Sequence, residues 1–174
     1  MEDLSYPIGR FKPESQLSNQ KRAECIQEIE AAPAALREAV KGLSREQLDT
    51  PYRPAGWTVR QVAHHLPDSH MNAYIRFRLA LTESQPTIKP YQQPLWADLP
   101  DATTADVEMS LTLLDGLHKR WVALLKAMRP EDFKRTFNHP ESGVNTLENI
   151  LQMYAWHGRH HVAHITSLRK RMGW

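Results

Sequence analysis

A single cysteine, Cys25, means that the 174-residue chain cannot close an internal disulfide, and it excludes the thiolate motifs of structural zinc sites. Long apolar runs are missing too. No uninterrupted stretch approaches the roughly 20 residues that cross a bilayer, so no membrane span is expected. The opening MEDLSYPIGR has no basic region leading into an apolar run, so no secretory signal is read and a cytoplasmic location is expected. Nor does either charge dominate. The 22 basic and 20 acidic residues leave a net +2, far from the basic field that nucleic acid would need. Only Arg169, Lys170 and Arg171 cluster, at what reads as the last turn of a helix, where cations meet the negative end of the dipole. Glycine is scarce, at 7 residues, and neither strand-like alternation nor an internal repeat competes with helical periods.

Helical periods are abundant, and most of the 12 prolines fall between them. Residues 1–17 read as an extended arm with apolar anchors at Leu4, Tyr6, Ile8 and Phe11. A first helix is expected from about Ser18 to Val40, kinked or briefly broken at Pro33, which lacks a backbone donor. Ser44 to Gln47 matches a capping box and predicts a short helical turn. After the proline-rich connection TPYRPAGW, a second long helix should run from Thr58 to near Glu83, bent just after the His64-His65 pair because Pro67 falls inside it. Residues 84–105 contain four prolines and no sustained period, and they read as a long connection that covers something. The third helix spans Asp106 to Met128, and a loop with Asn138, His139, Pro140 and Gly143 follows. Thr146 should cap a fourth helix that ends at Gly173. The expectation is one all-α domain over residues 1–174, a four-helix bundle with a long connection between its second and third helices.

Histidine is the unusual residue. Seven of the nine fall in two short clusters: His64, His65 and His70, then His157, His160, His161 and His164. Imidazoles four apart on a helix lie on one face and can converge on one ion, and the second cluster offers two such pairs. The helix face chooses between them. Leu147, Ile150, Leu151, Tyr154, Ile165 and Leu168 share one direction. At 3.6 residues per turn, His161 lies within about 25° of the stripe's centre and His157 about 65° from it. His164 lies about 85° away and His160 about 125°. His157 and His161 are therefore the inward pair, His164 stands at the edge, and His160 should face outward. Gly158, in mid-helix, either clears space beside an ion or lets another helix approach. Two histidines hold an ion weakly, so a third ligand is expected from the second helix. There His64 faces away, His65 lies on the flank of the apolar stripe and His70 lies nearer its centre. Periodicity alone slightly favours His70, but Pro67 shifts the angles past it, and helix geometry discriminates no further.

The run from Trp57 to His70, WTVRQVAHHLPDSH, together with WHGRHHVAHI near the far end, resembles the DinB-like superfamily. More narrowly it is similar to the YfiT-type metal-dependent hydrolases, and the likeness extends to the opening LSYPIGRFKP and the closing RMGW. This resemblance implies a four-helix bundle and a homodimer. It also implies one divalent transition metal per chain, nickel or zinc, held by one histidine of the second helix and an H-x-x-x-H pair on the last. Matched residue by residue, the implied ligands are His65, His157 and His161. Pro67 departs from the alanine expected in the family.

Three neutral imidazoles leave positions open for water, and a bound divalent ion brings a water's pKa toward about 7 and polarises carbonyls. Hydrolysis of a small-molecule substrate is then the leading expectation. His70, Tyr154 and His164 are candidates for proton transfer or orientation. Two further readings are transfer of a low-molecular-weight thiol, which members of the wider superfamily perform, and a non-catalytic, metal-stabilised dimerisation module. In the latter, Trp96, Trp121 and Trp156 could mark the interface.

Overall fold

The computed structural model describes residues 3–174. Four long helices dominate: α1 (Asn19–Val40), α3 (Val59–Thr82), α6 (Val107–Ala127) and α7 (Leu147–Met172). Each starts where a side chain accepts an otherwise unpaired backbone donor of the first turn. Ser18 caps α1 through the Lys21 amide, Asp106 caps α6 through Glu108, and Thr146 caps α7 through Asn149. Thr58 opens α3 with a reciprocal capping box, its hydroxyl accepting from the Gln61 amide at 3.1 Å while the Gln61 side chain accepts from the Thr58 amide at 2.9 Å. Gly173, at φ 71°, ends α7 in the left-handed conformation that glycine adopts freely. The short helix α2 (Arg45–Leu48) follows its own capping box at Ser44.

In the expected long connection lie two further short helices, α4 (Gln93–Ala97) and α5 (Pro100–Thr104). Each has a proline in its first turn, where the missing donor costs nothing. Five residues are too few to show a period, which is why this stretch reads as irregular. The expected loop after α6 holds a short hairpin instead, with β1 (Thr136–His139) paired antiparallel to β2 (Gly143–Thr146). Phe137, fully buried, pins it to the bundle. Four-residue strands are likewise too short for alternation to register. Pro33 and Pro67 both lie inside continuous helices, so of the kink or short break expected at Pro33 the break does not occur.

Packing pairs α1 with α6 and α7, and α3 with the same two helices. Around the bundle the order is α1, α7, α3, α6, so α1 faces α3 across a diagonal. The core falls into two apolar clusters. One gathers Ile29, Phe77, Trp121, Leu125, Phe137 and Leu151; the other gathers Leu36, Val62, Leu66, Leu114, Ile165 and Leu168. Burying each such side chain stabilises the fold by about 1.5–3 kcal/mol. Every long helix passes from one cluster to the other, and near that passage each carries a proline or a histidine: Pro33, His65 and His70, His118, and His157 to His161. The histidines thus form a polar layer between two dry ones. No helix among the described residues is long and apolar enough to cross a membrane.

Candidate metal centre

In the polar layer, α3 and α7 bring His65, His157 and His161 together, with one potential ligand nitrogen of each within 4.8 Å of the others. Nε2 of His65 lies 3.4 Å from Nε2 of His157. Two nitrogens bound at 2.0–2.1 Å to one tetrahedral ion sit about 3.3 Å apart, so this spacing suits a shared metal. Chemistry agrees with geometry. Burial, assisted by neighbouring His164, pushes His65 down to about 4. Burial also holds His157 and His161 well below the ordinary histidine value. All three rings are neutral at pH 7 and present free lone pairs, as metal ligation requires. Nδ1 of His161 is buried with no hydrogen-bond partner among the described residues, a costly state for a polar atom. The donor set therefore fits a divalent transition metal.

His70, the other candidate from α3, stands behind this cluster. Its Nε2 is 3.1 Å from Nδ1 of His157, so it meets the far side of a ligand ring and not the common point. His64 points to α6, with Nδ1 2.7 Å from the Ser110 hydroxyl. The Tyr154 hydroxyl pairs with Ser69 at 3.2 Å, and its ring stands edge-on to His70. His164 forms part of the cavity wall, donating from Nε2 to the Ser5 carbonyl at 3.2 Å and stacking on Tyr52 at 3.9 Å.

His160 departs from expectation, since it is only 6% exposed. It does point away from the bundle core, but the N-terminal arm covers that face. Tyr6 lies over it and Trp156 stacks on it at 4.2 Å, while the Gly9 carbonyl accepts from the Trp156 indole at 3.3 Å. A helical wheel knows nothing of an arm whose Gly9 meets Trp156 from 147 residues away. Gly158 serves helix approach: a Cβ there would lie 3.1 Å from that of Ala32 on α1. Trp121 is fully buried and lies edge-on to Phe77, so it is not an interface residue.

A cavity of about 300 Å³ opens onto His65 and His161. The connection between α2 and α3, passed over in the sequence as mere linker, builds its rim with Tyr52, Arg53, Gly56 and Trp57. The Trp57 ring lies 4.8 Å from that of His65. Ala55 on this rim has φ 55°, a left-handed conformation uncommon for a residue with a Cβ and a mark of a shape enforced by its surroundings. His118 was also missed. The signal was there, because it shares a helical stripe with Leu114, Trp121 and Leu125, a polar residue on an apolar face. Cys25 takes no part: burial pushes its thiol up to about 11, which keeps it protonated and inert.

A four-helix bundle that gathers three neutral imidazoles beside a cavity belongs to the class of bundle proteins built to hold a metal ion. The chain belongs to the DinB superfamily, whose family model matches residues 28–165. It is 57% identical over its full 174 residues to a protein of Bacillus mycoides (strain KBAB4), and 58% identical to one of Bacillus cereus (strain B4264). Each comparison covers 100% of both chains, and both relatives are provisionally named metal-dependent hydrolases. Among solved structures it matches YfiT from Bacillus subtilis at a TM-score of 0.97 and 54% identity, over 99% of each chain. That protein is described as a probable metal-dependent hydrolase with an unusual four-helix bundle topology. The four-helix bundle protein TT2238 shares the fold, at a TM-score of 0.60 and 21% identity over 84% of this chain and 98% of that one.

Proposed function

We propose that the protein is a metal-dependent hydrolase whose single divalent ion is held by His65, His157 and His161, with nickel or zinc as the native metal. The observation that carries this reading is the convergence of three neutral imidazoles, His65 and His161 buried and His157 half-buried, on one point beside an open cavity. When bound there, the ion supplies an activated water and polarises a substrate carbonyl.

The chain's own residues supply the rest. His161 and His65 present lone pairs at the cavity floor, while Tyr52, Trp57 and His164 wall it. Among the described residues lining the cavity there is no carboxylate, and Arg53 is the one cation. Its Nη1 donates to the Pro54 carbonyl at 3.0 Å and its Nε to the Tyr52 hydroxyl at 3.2 Å, which holds the guanidinium at the rim. Three neutral ligands do not reduce the charge of a divalent ion, so the loaded site is strongly cationic. It favours a small ester or amide that carries an anionic group. His164 is placed to hold or move a proton at Nδ1, which is buried and unpartnered among the described residues.

The test has two parts. Elemental analysis of protein purified without an affinity tag should find close to one divalent transition metal per chain. Hydrolysis of carboxylated esters and amides should then appear with metal and vanish with chelator. Thiol conjugation without hydrolysis, under the same conditions, would move the activity to the wider superfamily's other chemistry.

A further inference from the structure

Behind the metal-facing cluster runs a chain of buried groups that the proposed chemistry does not use. Nδ1 of His157 on α7 lies 3.1 Å from Nε2 of His70 on α3. Nδ1 of His70 lies 2.9 Å from Nε2 of His118 on α6. Nδ1 of His118 lies 2.6 Å from the backbone carbonyl of Ile29 on α1. His70 and His118 are 0% and 2% exposed, so water does not compete along this line. The chain touches all four long helices of the bundle.

Its far end has a particular cause. In a helix without proline the Ile29 carbonyl would accept from the amide of residue 33, but that residue is Pro33 and has no donor. The carbonyl is left free inside the bundle, and His118 supplies the missing donor.

A carbonyl only accepts, so His118 must donate from Nδ1. A neutral imidazole has one N–H, which leaves its Nε2 as an acceptor. His70 must then donate from Nδ1 and accept at Nε2, and His157 must donate from Nδ1 in turn. The consequence arrives at the metal site. Nε2 of His157, the atom 3.4 Å from Nε2 of His65, is left with a bare lone pair aimed at the common point.

We propose that His70 and His118 are positioning residues, a relay that sets the tautomer and orientation of His157 for metal ligation, with the Ile29 carbonyl freed by Pro33 as its fixed end. It goes beyond the hydrolase reading, because it concerns how the site is held ready and applies whatever reaction follows. Metal-bound histidines usually lean on a carboxylate, carbonyl or water through the other ring nitrogen. Here the support is an uncharged imidazole, so the ion is oriented without losing net positive charge to a neighbouring anion.

The direct test is long-range proton–nitrogen NMR of the imidazoles in the intact, metal-free chain. His118, His70 and His157 should each carry the proton on Nδ1. A majority of Nε2–H at any of the three overturns the proposal, and this measurement needs no variant. His118→Phe then removes the acceptor for His70. Its ring can flip tautomer and force His157 toward Nε2–H, so affinity for cobalt or zinc in a competition titration should fall about 10–100-fold. His118→Gln returns an acceptor oxygen to His70 and should recover most of that loss. Thermal melts of both variants separate this from damage to packing, which would lower stability without moving the His157 tautomer. Unchanged metal affinity in a folded His118→Phe variant would also overturn the relay.

Discussion

Lowering the pH from 7 to 5 should unfold the metal-free protein, and the cause is its layer of neutral histidines. Burial pushes His65, His118 and His160 each down to about 4 in the folded chain. An unfolded histidine titrates near 6.5. As the pH falls through that value the unfolded chain takes up protons that the folded chain refuses, so stability present above about 6.5 is lost on the way down to 4. Between pH 7 and pH 5 each such ring costs about 2 kcal/mol, and the three together about 6 kcal/mol. His70, His157 and His161 are shifted in the same direction and add to the loss. Asp68 opposes it. Burial, with Asp101 nearby, raises its carboxyl to about 6, so the folded chain gains a proton before the unfolded one, offsetting about 1 kcal/mol. The remainder is comparable to the whole stability of a typical domain, about 5–15 kcal/mol. Far-UV circular dichroism of chelator-treated protein should show a cooperative transition near pH 5, with several protons taken up per chain. A folded chain down to about pH 4, or uptake of fewer than two protons, would refute the claim that these rings are buried in the neutral form. Added zinc should move the midpoint to lower pH, because protons and metal compete for the same lone pairs.

Other perturbations separate the site from its scaffold. His161→Ala should lose most of the bound ion on elemental analysis. His160→Ala should keep it while costing about 1–3 kcal/mol in urea, because that ring packs between Trp156 and Tyr6 and is not among the converging three. Thr58→Ala removes the hydroxyl that caps α3 and should cost about 1 kcal/mol in the same assay. Gly158→Ala gains about 1 kcal/mol of helix propensity but sets its Cβ 3.1 Å from Ala32, a crowding that costs about 1–3 kcal/mol, so urea midpoints should fall. Arg53→Ala should raise KM for carboxylated esters about two- to fivefold, the worth of one solvent-screened charge contact at about 0.5–1 kcal/mol, and leave kcat for uncharged esters nearly unchanged.

The four long helices were legible in the chain itself, as were the cap at Thr146 and the inward turn of His157 and His161. These features depend on hydrogen bonds and side-chain spacing within one helix, and the residues that decide them are at most a few positions apart. The tertiary structure decided everything that needed a second element. The hairpin at residues 136–146 closes because Phe137 has a core to enter. His160 is buried because an arm from the other end of the chain lies across it. His118 matters because Pro33, on a different helix, leaves a carbonyl open. The choice between His65 and His70 shows the division best. Both lie on α3 and both reach His157, but the crossing of α3 and α7 sets His65 against Nε2 and His70 against Nδ1 of that ring. Five residues apart on one rod, they meet opposite faces of one side chain on another, and no period within either helix carries that information.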